Sequence, residues 1–245
     1  MSSPGEFYKS LPPISKGFAT ICVLFTTAYQ LRMLDLEYVF LSYKLAFFRF
    51  QIWRLLTNFF FLGKFSVNFG IHILMIVRYG VQLENMPFQR RTADFLWMMI
   101  FGSLTLLALS SIPILYTPFL GLSLVFMLLY LWSREFPNAQ INIYGLVNLK
   151  GFYLPWAMLV LNILFGSPLV PDLLGIVAGH LYYFLTVLHP LATGKYYLKT
   201  PRWVHKLVSR FNIGAPAPAT AARGSSAPPE RTTGAFRGRA YRLSD

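Results

Sequence analysis

The stretch Phe95–Ile112, FLWMMIFGSLTLLALSSI, contains eighteen residues and no charged side chain. An α-helix of that length rises about 27 Å, close to the roughly 30 Å of hydrocarbon in a bilayer. Five further apolar runs accompany it: Gly17–Leu31, Phe65–Leu83, Phe119–Trp132, Phe152–Phe165 and Leu173–Leu188. We therefore predict an all-α membrane protein with six transmembrane helices. A count of four, with the weaker runs re-entrant, is the alternative.

Composition agrees with lipid as the solvent for most of the chain. The 245 residues are 55% hydrophobic and only 13% charged, whereas soluble domains carry about 25% charged residues. A soluble fold this apolar would expose patches large enough to aggregate. The one cysteine, Cys22, lies inside the first apolar run, so no intramolecular disulfide can form.

Basic residues between the runs predict the orientation. Arg90 and Arg91 follow the second run, and Arg134 and Lys150 follow the fourth, while residues 110–118 and 166–172 contain no Lys or Arg. The positive-inside rule then places both termini in the cytosol. The predicted organisation is an N-terminal segment at 1–16, a transmembrane domain at 17–189 and a basic tail at 190–245.

The connection from Arg32 to Lys64 contradicts that rule, since it carries five basic residues on the side expected to be non-cytosolic. It is also rich in aromatic residues, which predicts an element lying in the membrane interface. Trp53 and Arg54 form the motif of this loop. Their residue types alone favour a tryptophan in the headgroup belt and an arginine on lipid phosphate.

Two of the runs are short. Phe119–Trp132 and Phe152–Phe165 have 14 residues each, which span roughly 21 Å as helices. Such a mismatch is relieved by thinning of the bilayer. We therefore predict that the bundle thins the membrane around it.

The tail carries a net charge of +8 out of the +13 of the whole chain. No nucleic-acid-binding fold accompanies this charge, so nucleic acid is not a predicted partner, whereas the lipid bilayer is. Ile213–Pro229 is rich in Ala, Pro, Gly and Ser without periodicity. Such a composition predicts disorder in most of the tail.

Polar side chains inside the runs are the candidates for function. Asn68, His72 and Gln82 share roughly one face of the second helix, and they form either interhelical hydrogen bonds or the wall of a hydrated cavity. In the sixth run, Gly175 and Gly179 are four residues apart, a spacing that lets a neighbouring helix approach closely. No spacing of metal ligands is found, and neither a metal nor a cofactor is predicted.

Ser123 on the fourth run and His180 on the sixth raise the alternative of an intramembrane serine protease, with a nucleophile and a base on facing helices. Alternatively both side chains have only a structural role, with Ser123 bonded to its own helix backbone and His180 to a neighbouring helix. A third class, a transporter or lipid-handling protein using the polar face of the second helix, lacks an evident internal repeat.

Three sequence motifs resemble those of a known family: Phe50-Gln51-Ile52-Trp53-Arg54, Tyr153-Leu154-Pro155-Trp156 and Gly175-Ile176-Val177-Ala178-Gly179-His180-Leu181-Tyr182. From the N-terminus to about residue 203 the chain resembles the derlins, rhomboid-like pseudoproteases of the endoplasmic reticulum. The resemblance implies a rhomboid-like six-helix bundle. Active rhomboids carry Gly-x-Ser-Gly, but here Leu124 follows Ser123. Their catalytic His stands where Asp172 stands here, so no catalytic residue is predicted.

The tail contains Phe236-Arg237-Gly238-Arg239-Ala240-Tyr241-Arg242-Leu243. It resembles the box, at residues 236–243, with which derlins bind a cytosolic AAA+ unfoldase. Phe236, Gly238 and Leu243 match that pattern, while Ala240 replaces its second glycine.

The resemblance implies a non-enzymatic factor of endoplasmic-reticulum-associated degradation, by which misfolded proteins retrotranslocate to the cytosol. The implied partners are misfolded endoplasmic-reticulum proteins, the AAA+ unfoldase, a membrane ubiquitin-ligase complex and other derlins in a homo- or hetero-oligomer. The implied location is the endoplasmic reticulum membrane.

Overall fold

The computed structural model describes residues 4–143, 145, 147–195, 198–211 and 213. The chain divides into two units, Met1–Gly214 and Ala215–Asp245. The second unit, with the predicted box at 236–243 and most of the predicted disordered segment, lies outside the described residues.

Each of the six apolar runs is helical. The first is α2 (Pro13–Gln30), preceded by α1 (Pro4–Ser10). The second is α6 (Val67–Met75), which continues through a π-helical segment (Ile76–Gly80) into α7 (Val81–Asn85). The next three are α8 (Thr92–Ser110), α9 (Gly121–Glu135) and α10 (Leu154–Leu164). The last is α11 (Leu169–Tyr183), which continues through a π-helical segment (Phe184–Leu188) into α12 (His189–Thr193).

The connections also contain ordered elements. Three short helices lie in the first loop: α3 (Leu36–Val39), α4 (Tyr43–Phe48) and α5 (Arg54–Thr57). Between α9 and α10, β1 (Gln140–Ile143) pairs antiparallel with β2 (Val147–Lys150), with Gln140 opposite Lys150. Gly145 in the turn has φ +76°, a conformation that favours glycine. A final helix, α13 (Arg202–Arg210), follows the bundle and lies in the region predicted to be mostly disordered.

Among the described residues, two helices are both long and apolar enough to cross a membrane: Thr92–Ser110 and the continuous helix Leu169–Thr193. The other helices of the bundle are shorter or more polar. α9 has 15 residues, and α10 continues a 3-10 turn (Gly151–Tyr153) to form the helix Gly151–Leu164; each corresponds to about 22 Å of helix. The predicted shortness of these two elements is therefore present in the structure.

α9 is the central helix of the bundle. Its residues from Ser123 to Ser133 are all buried, and it contacts α6, the π-helical segment after it, α7, α8, α10 and α11. A helix that is apolar on every side belongs in the middle of a bundle rather than at its edge. Its N-terminal residue, Gly121, lies directly against the first loop, since a Cβ there would come within 2.6 Å of the Phe59 carbonyl oxygen.

Candidate functional site

The first loop is organised around the buried guanidinium of Arg54, which is 4% exposed. Its Nε donates to the Gln51 Oε1 at 2.7 Å, and its Nη1 donates to the backbone carbonyls of Glu37 and Phe40. The Phe40 ring also lies under the guanidinium, with its centroid 4.9 Å from Cζ. The structure thus places Arg54 inside the loop and not on lipid phosphate. Trp53, in contrast, is half exposed, as expected for a residue of the headgroup belt.

Replacing Arg54 with lysine is expected to destabilise the loop. Lysine keeps the charge but cannot reach several acceptors at fixed angles as a planar guanidinium does, so buried carbonyls lose their donors at a cost of about 1–3 kcal/mol. The measurement is the thermal midpoint of the detergent-solubilised protein. Arg49→Lys is the matched control because Arg49 is exposed; equal midpoints for the two variants would contradict this role of Arg54.

The two glycines of α11 lie against α9. A Cβ on Gly175 would overlap the Ser123 carbonyl oxygen and the Phe126 Cβ, and one on Gly179 would come within 2.9 Å of the Tyr130 Cδ1. The earlier glycine, Gly175, lies against Ser123, and the later one, Gly179, lies against Tyr130. Residue numbers therefore increase in the same direction along both helices, which pack in parallel. Backbone contact this close gains dispersion energy that lipid cannot supply.

Ser123 and His180 are not brought together. The His180 Nδ1 lies 2.7 Å from the Tyr130 hydroxyl, and Tyr130 is seven residues beyond Ser123 on α9, which is about 10 Å along the helix. The Ser123 Oγ is fully buried and has no hydrogen-bond partner among the described residues. A base must be within hydrogen-bond reach of its nucleophile to take the proton. This geometry therefore does not form a nucleophile–base pair.

A buried polar cluster, His72, Asn162 and Asp172, lies between α6, α10 and α11. All three residues are buried, and Asp172 is 0% exposed. The Asn162 Nδ2 donates to the Asp172 Oδ2 at 3.0 Å, and the His72 ring lies beside the Asn162 amide and the Leu62 backbone. Because Asp172 is three residues before Gly175, this cluster lies near the close contact of α11 with Ser123.

The polar atoms of this cluster do not all have hydrogen-bond partners. Both ring nitrogens of His72 and the Asp172 Oδ1 lack a partner in hydrogen-bonding geometry among the described residues, although all three atoms are buried. Buried polar groups in native proteins are nearly always hydrogen-bonded to protein or to ordered water. An ionisable residue inside a membrane domain is costly and by default a candidate for function.

The predicted cavity residues separate into three places. His72 belongs to the buried polar cluster. The Asn68 Nδ2 donates to the Ser167 Oγ at 3.5 Å, which joins the start of α6 to the loop before α11. Gln82 is on the other end of the second run, where its Oε1 accepts from the Trp132 Nε1 at 2.7 Å. Ten residues separate His72 from Gln82, about 15 Å of helix, and the intervening π-helical segment changes the periodicity on which their shared face was predicted.

One contact was missed by sequence analysis. The buried Glu84 accepts from the backbone amides of Ile14 and Ser15 at 2.9 and 2.8 Å, and from the Ser15 hydroxyl at 2.7 Å. It thereby caps the N-terminus of α2, where free amides favour a carboxylate. In the sequence Glu84 is an acidic residue at the end of an apolar run. Nothing in that pattern indicates that it contacts the start of α2.

A sequence profile of the Der1-like family matches residues 11–202, most of the chain. The chain belongs to the Der1-like family. Derlin-1 of Arabidopsis thaliana is 63% identical to it and Derlin-1 of Oryza sativa subsp. japonica is 62% identical, each over the full length of both proteins. A protein named probable derlin-2 homolog, from Dictyostelium discoideum, is 40% identical over 85% of this chain and 84% of that protein. The predicted derlin resemblance is confirmed.

Membership of the Der1-like family and the two long apolar helices together indicate a membrane protein. The mostly helical structure agrees with this. The buried polar cluster, the α9–α11 contact and the Arg54 contacts all fall within the residues that the Der1-like profile matches.

Proposed function

We propose that this Der1-like protein is a non-enzymatic component of endoplasmic-reticulum-associated degradation that helps misfolded proteins retrotranslocate to the cytosol. In this proposal its six helices cross the endoplasmic reticulum membrane, with both termini in the cytosol. Membership of the derlin family supports the general role. The observation that carries the mechanism is the buried polar cluster of His72, Asn162 and Asp172 inside a bundle with short helices.

The buried polar cluster supports a hydrated path. Moving polar backbone into hydrocarbon costs several kcal/mol for each unsatisfied group. Water held by the unpaired atoms of His72 and Asp172 would lower that cost along one side of α6, and Asn68 and Ser167 would extend the polar surface toward the loop before α11. Backbone that is not helical can exist at membrane depth where it lines such a wet cavity.

The short α9 and α10 support local thinning of the bilayer. Helices of about 22 Å are shorter than a hydrocarbon core of about 30 Å. Lipid adapts to such mismatch at a fraction of a kcal/mol per Å. A thinner bilayer beside a polar path shortens the distance that substrate must travel through lipid.

The tail supplies direction in this proposal by recruiting an AAA+ unfoldase, whose ATP hydrolysis pulls substrate into the cytosol. Phe236 and Leu243 are apolar anchors at the two ends of the box, and Gly238 gives the backbone freedom to be bound as an extended peptide. A ubiquitin-ligase complex and other derlin subunits would complete the assembly around the bundle.

The test of recruitment is co-purification of the unfoldase with the full chain. Phe236→Ala is expected to lower the recovered unfoldase at least tenfold, because a loss of about 1.4 kcal/mol of binding free energy with the Phe236 ring weakens the equilibrium constant tenfold. Phe211→Ala, outside the box, is expected to leave the recovery unchanged. Recovery of no unfoldase with the unaltered chain would remove this part of the proposal.

The rival function of a serine protease predicts a reactive Ser123. Because His180 is bonded to Tyr130 instead, we expect a serine-reactive fluorophosphonate to label the purified protein no more than it labels Ser123→Ala. Labelling that depends on Ser123 would show that the serine is activated and would overturn the non-enzymatic assignment.

A further inference from the structure

The helix α13 is basic and amphipathic, and it is the last described helix of the chain. Arg202, Lys206 and Arg210 follow one another at intervals of four residues, and Trp203, Leu207 and Phe211 do the same one position later. Residues four apart lie on the same face of a helix. The helix therefore carries a basic row beside an apolar row.

Both rows of α13 are exposed. All three basic side chains are exposed, and the apolar ones are 53%, 39% and 66% exposed for Trp203, Leu207 and Phe211 respectively. Only Val204 is buried among the residues of this helix. The apolar row is thus a surface that the described part of the protein covers only in part.

Packing holds α13 at the N-terminal end of the apolar helix α8. The Trp203 ring packs edge-on against the ring of Trp97, with centroids 6.2 Å apart, and the Thr200 Oγ1 donates to the Asp94 Oδ1 at 2.5 Å. Asp94 is in the first turn of α8 and also accepts from Arg91 at 2.6 Å. α8 is long and apolar enough to cross a membrane, and the first turn of a spanning α8 would lie at the surface of the bilayer.

The segment of chain that contains α13 carries charge of one sign. Residues 195–213 contain five Lys or Arg and no Asp or Glu. One of these five, Lys199, is exposed on the approach to the helix. Helices with basic side chains on one face and Trp, Leu or Phe on the other lie in the membrane interface, with their attraction strengthened by anionic lipid.

We propose that α13 is a docking surface for the anionic headgroups of the membrane in which the bundle sits. Trp203, Leu207 and Phe211 enter the boundary between headgroups and acyl chains, while Arg202, Lys206 and Arg210 contact lipid phosphate and carboxylate. The position of α13 beside the first turn of α8 favours this occupant over an acidic protein segment, which would have to displace lipid at the same level. The inference requires that α8 spans the membrane and is independent of any role in retrotranslocation.

The test measures the depth of residue 211 in bilayers of defined charge. A fluorophore is attached to Phe211→Cys in the full chain, where native Cys22 is buried and so shielded from the dye while the protein is folded. The protein is placed in nanodiscs of phosphatidylcholine alone or with phosphatidylserine, and quenching by brominated acyl chains is recorded. We expect strong quenching with phosphatidylserine and weak quenching without it.

Lys206→Gln/Arg210→Gln supplies the charge variant. It is expected to lower the equilibrium constant for docking about twenty-fivefold, since each of the two basic residues contributes about fivefold near an anionic surface, and so to reduce quenching to the level in phosphatidylcholine. Arg223→Gln/Arg231→Gln removes the same charge outside α13 and is expected to leave quenching unchanged. Quenching that is equal in the two lipids, absent in both, or equally reduced by the control variant would overturn the proposal.

Discussion

Replacing Gly175 with leucine is expected to destabilise the folded bundle more than any comparable change at an open glycine. A Cβ at this position overlaps backbone and Cβ atoms of α9, which cannot move aside as the end of a flexible side chain can. Overpacking in a close-packed interior costs about 1–3 kcal/mol and occasionally more, and the upper end applies here. For a domain of this size about 3 kcal/mol corresponds to a fall in the thermal midpoint of roughly 6–12 °C.

The chain contains its own reporter for this measurement. Cys22 is the one cysteine and is 0% exposed, so a thiol-reactive dye becomes fluorescent only when the core opens. A graded series follows from the geometry: the midpoint falls most for Gly175→Leu, less for Gly179→Ala, whose nearest contacts lie at 2.9–3.2 Å, and least for Gly17→Ala, which has no atom within 4 Å. Equal midpoints for Gly175→Leu and Gly17→Leu would show that the α9–α11 contact is not close in the folded protein.

The second large effect is expected on function and not on stability. Replacing Asn162 and Asp172 together with leucine removes the hydrogen-bonded pair of the polar cluster and leaves His72, while keeping side chains of similar volume at both positions. Such replacement of buried polar or charged groups is often neutral or stabilising, so the Cys22 midpoint should be unchanged or higher. Retrotranslocation should nevertheless be lost, because the path loses two of the three polar side chains of the cluster.

The measurement is the half-life of a misfolded luminal protein in cells whose own derlins have been deleted, with this chain supplied in its unaltered or variant form. The double variant is expected to lengthen the half-life to that of cells without any derlin. Thr27→Val is the matched control because Thr27 is partly exposed on α2, outside the polar cluster, and its hydroxyl donates to the Val23 carbonyl of its own helix. A normal half-life with the double variant would exclude the cluster from the path.

Hydropathy was sufficient to predict where helices form. Each of the six runs is helical because a long apolar segment satisfies its backbone hydrogen bonds most simply as a helix. Hydropathy was not sufficient for the two π-helical segments, since nothing in Ile76–Gly80 distinguishes it from α-helix by residue type. That segment lies between His72 and Gln82, so a shared face calculated for a regular α-helix does not hold across it.

The hairpin of β1 and β2 had a signal that was not used. Ile141 and Ile143 alternate with polar residues, and Gly145 follows in the turn, which is the ordinary pattern of a short hairpin. α13 also had a signal, since its two rows repeat every four residues. Its charge was interpreted only as part of the tail, so the amphipathic pattern was missed.

The candidate site was predicted in part. The α11 glycines and the displacement of His180 could be predicted because both depend on spacing within one helix. The pairing of Asn162 with Asp172 depends on how α10 and α11 pack across a short connection, and the Arg54 contacts depend on the folded path of residues 37–40. Tertiary contacts of this kind are not encoded in the local periodicity of either segment.

The most direct test of the central claim is disulfide crosslinking of a stalled misfolded substrate to single cysteines placed in the bundle. Asn68→Cys lies beside Ser167 on the polar side of α6, whereas Leu104→Cys lies on an exposed part of α8 away from it. A hydrated path along α6 predicts a crosslink to substrate from position 68 and none from position 104. Crosslinks of equal yield from both positions, or none from position 68 while the substrate is still exported, would contradict it.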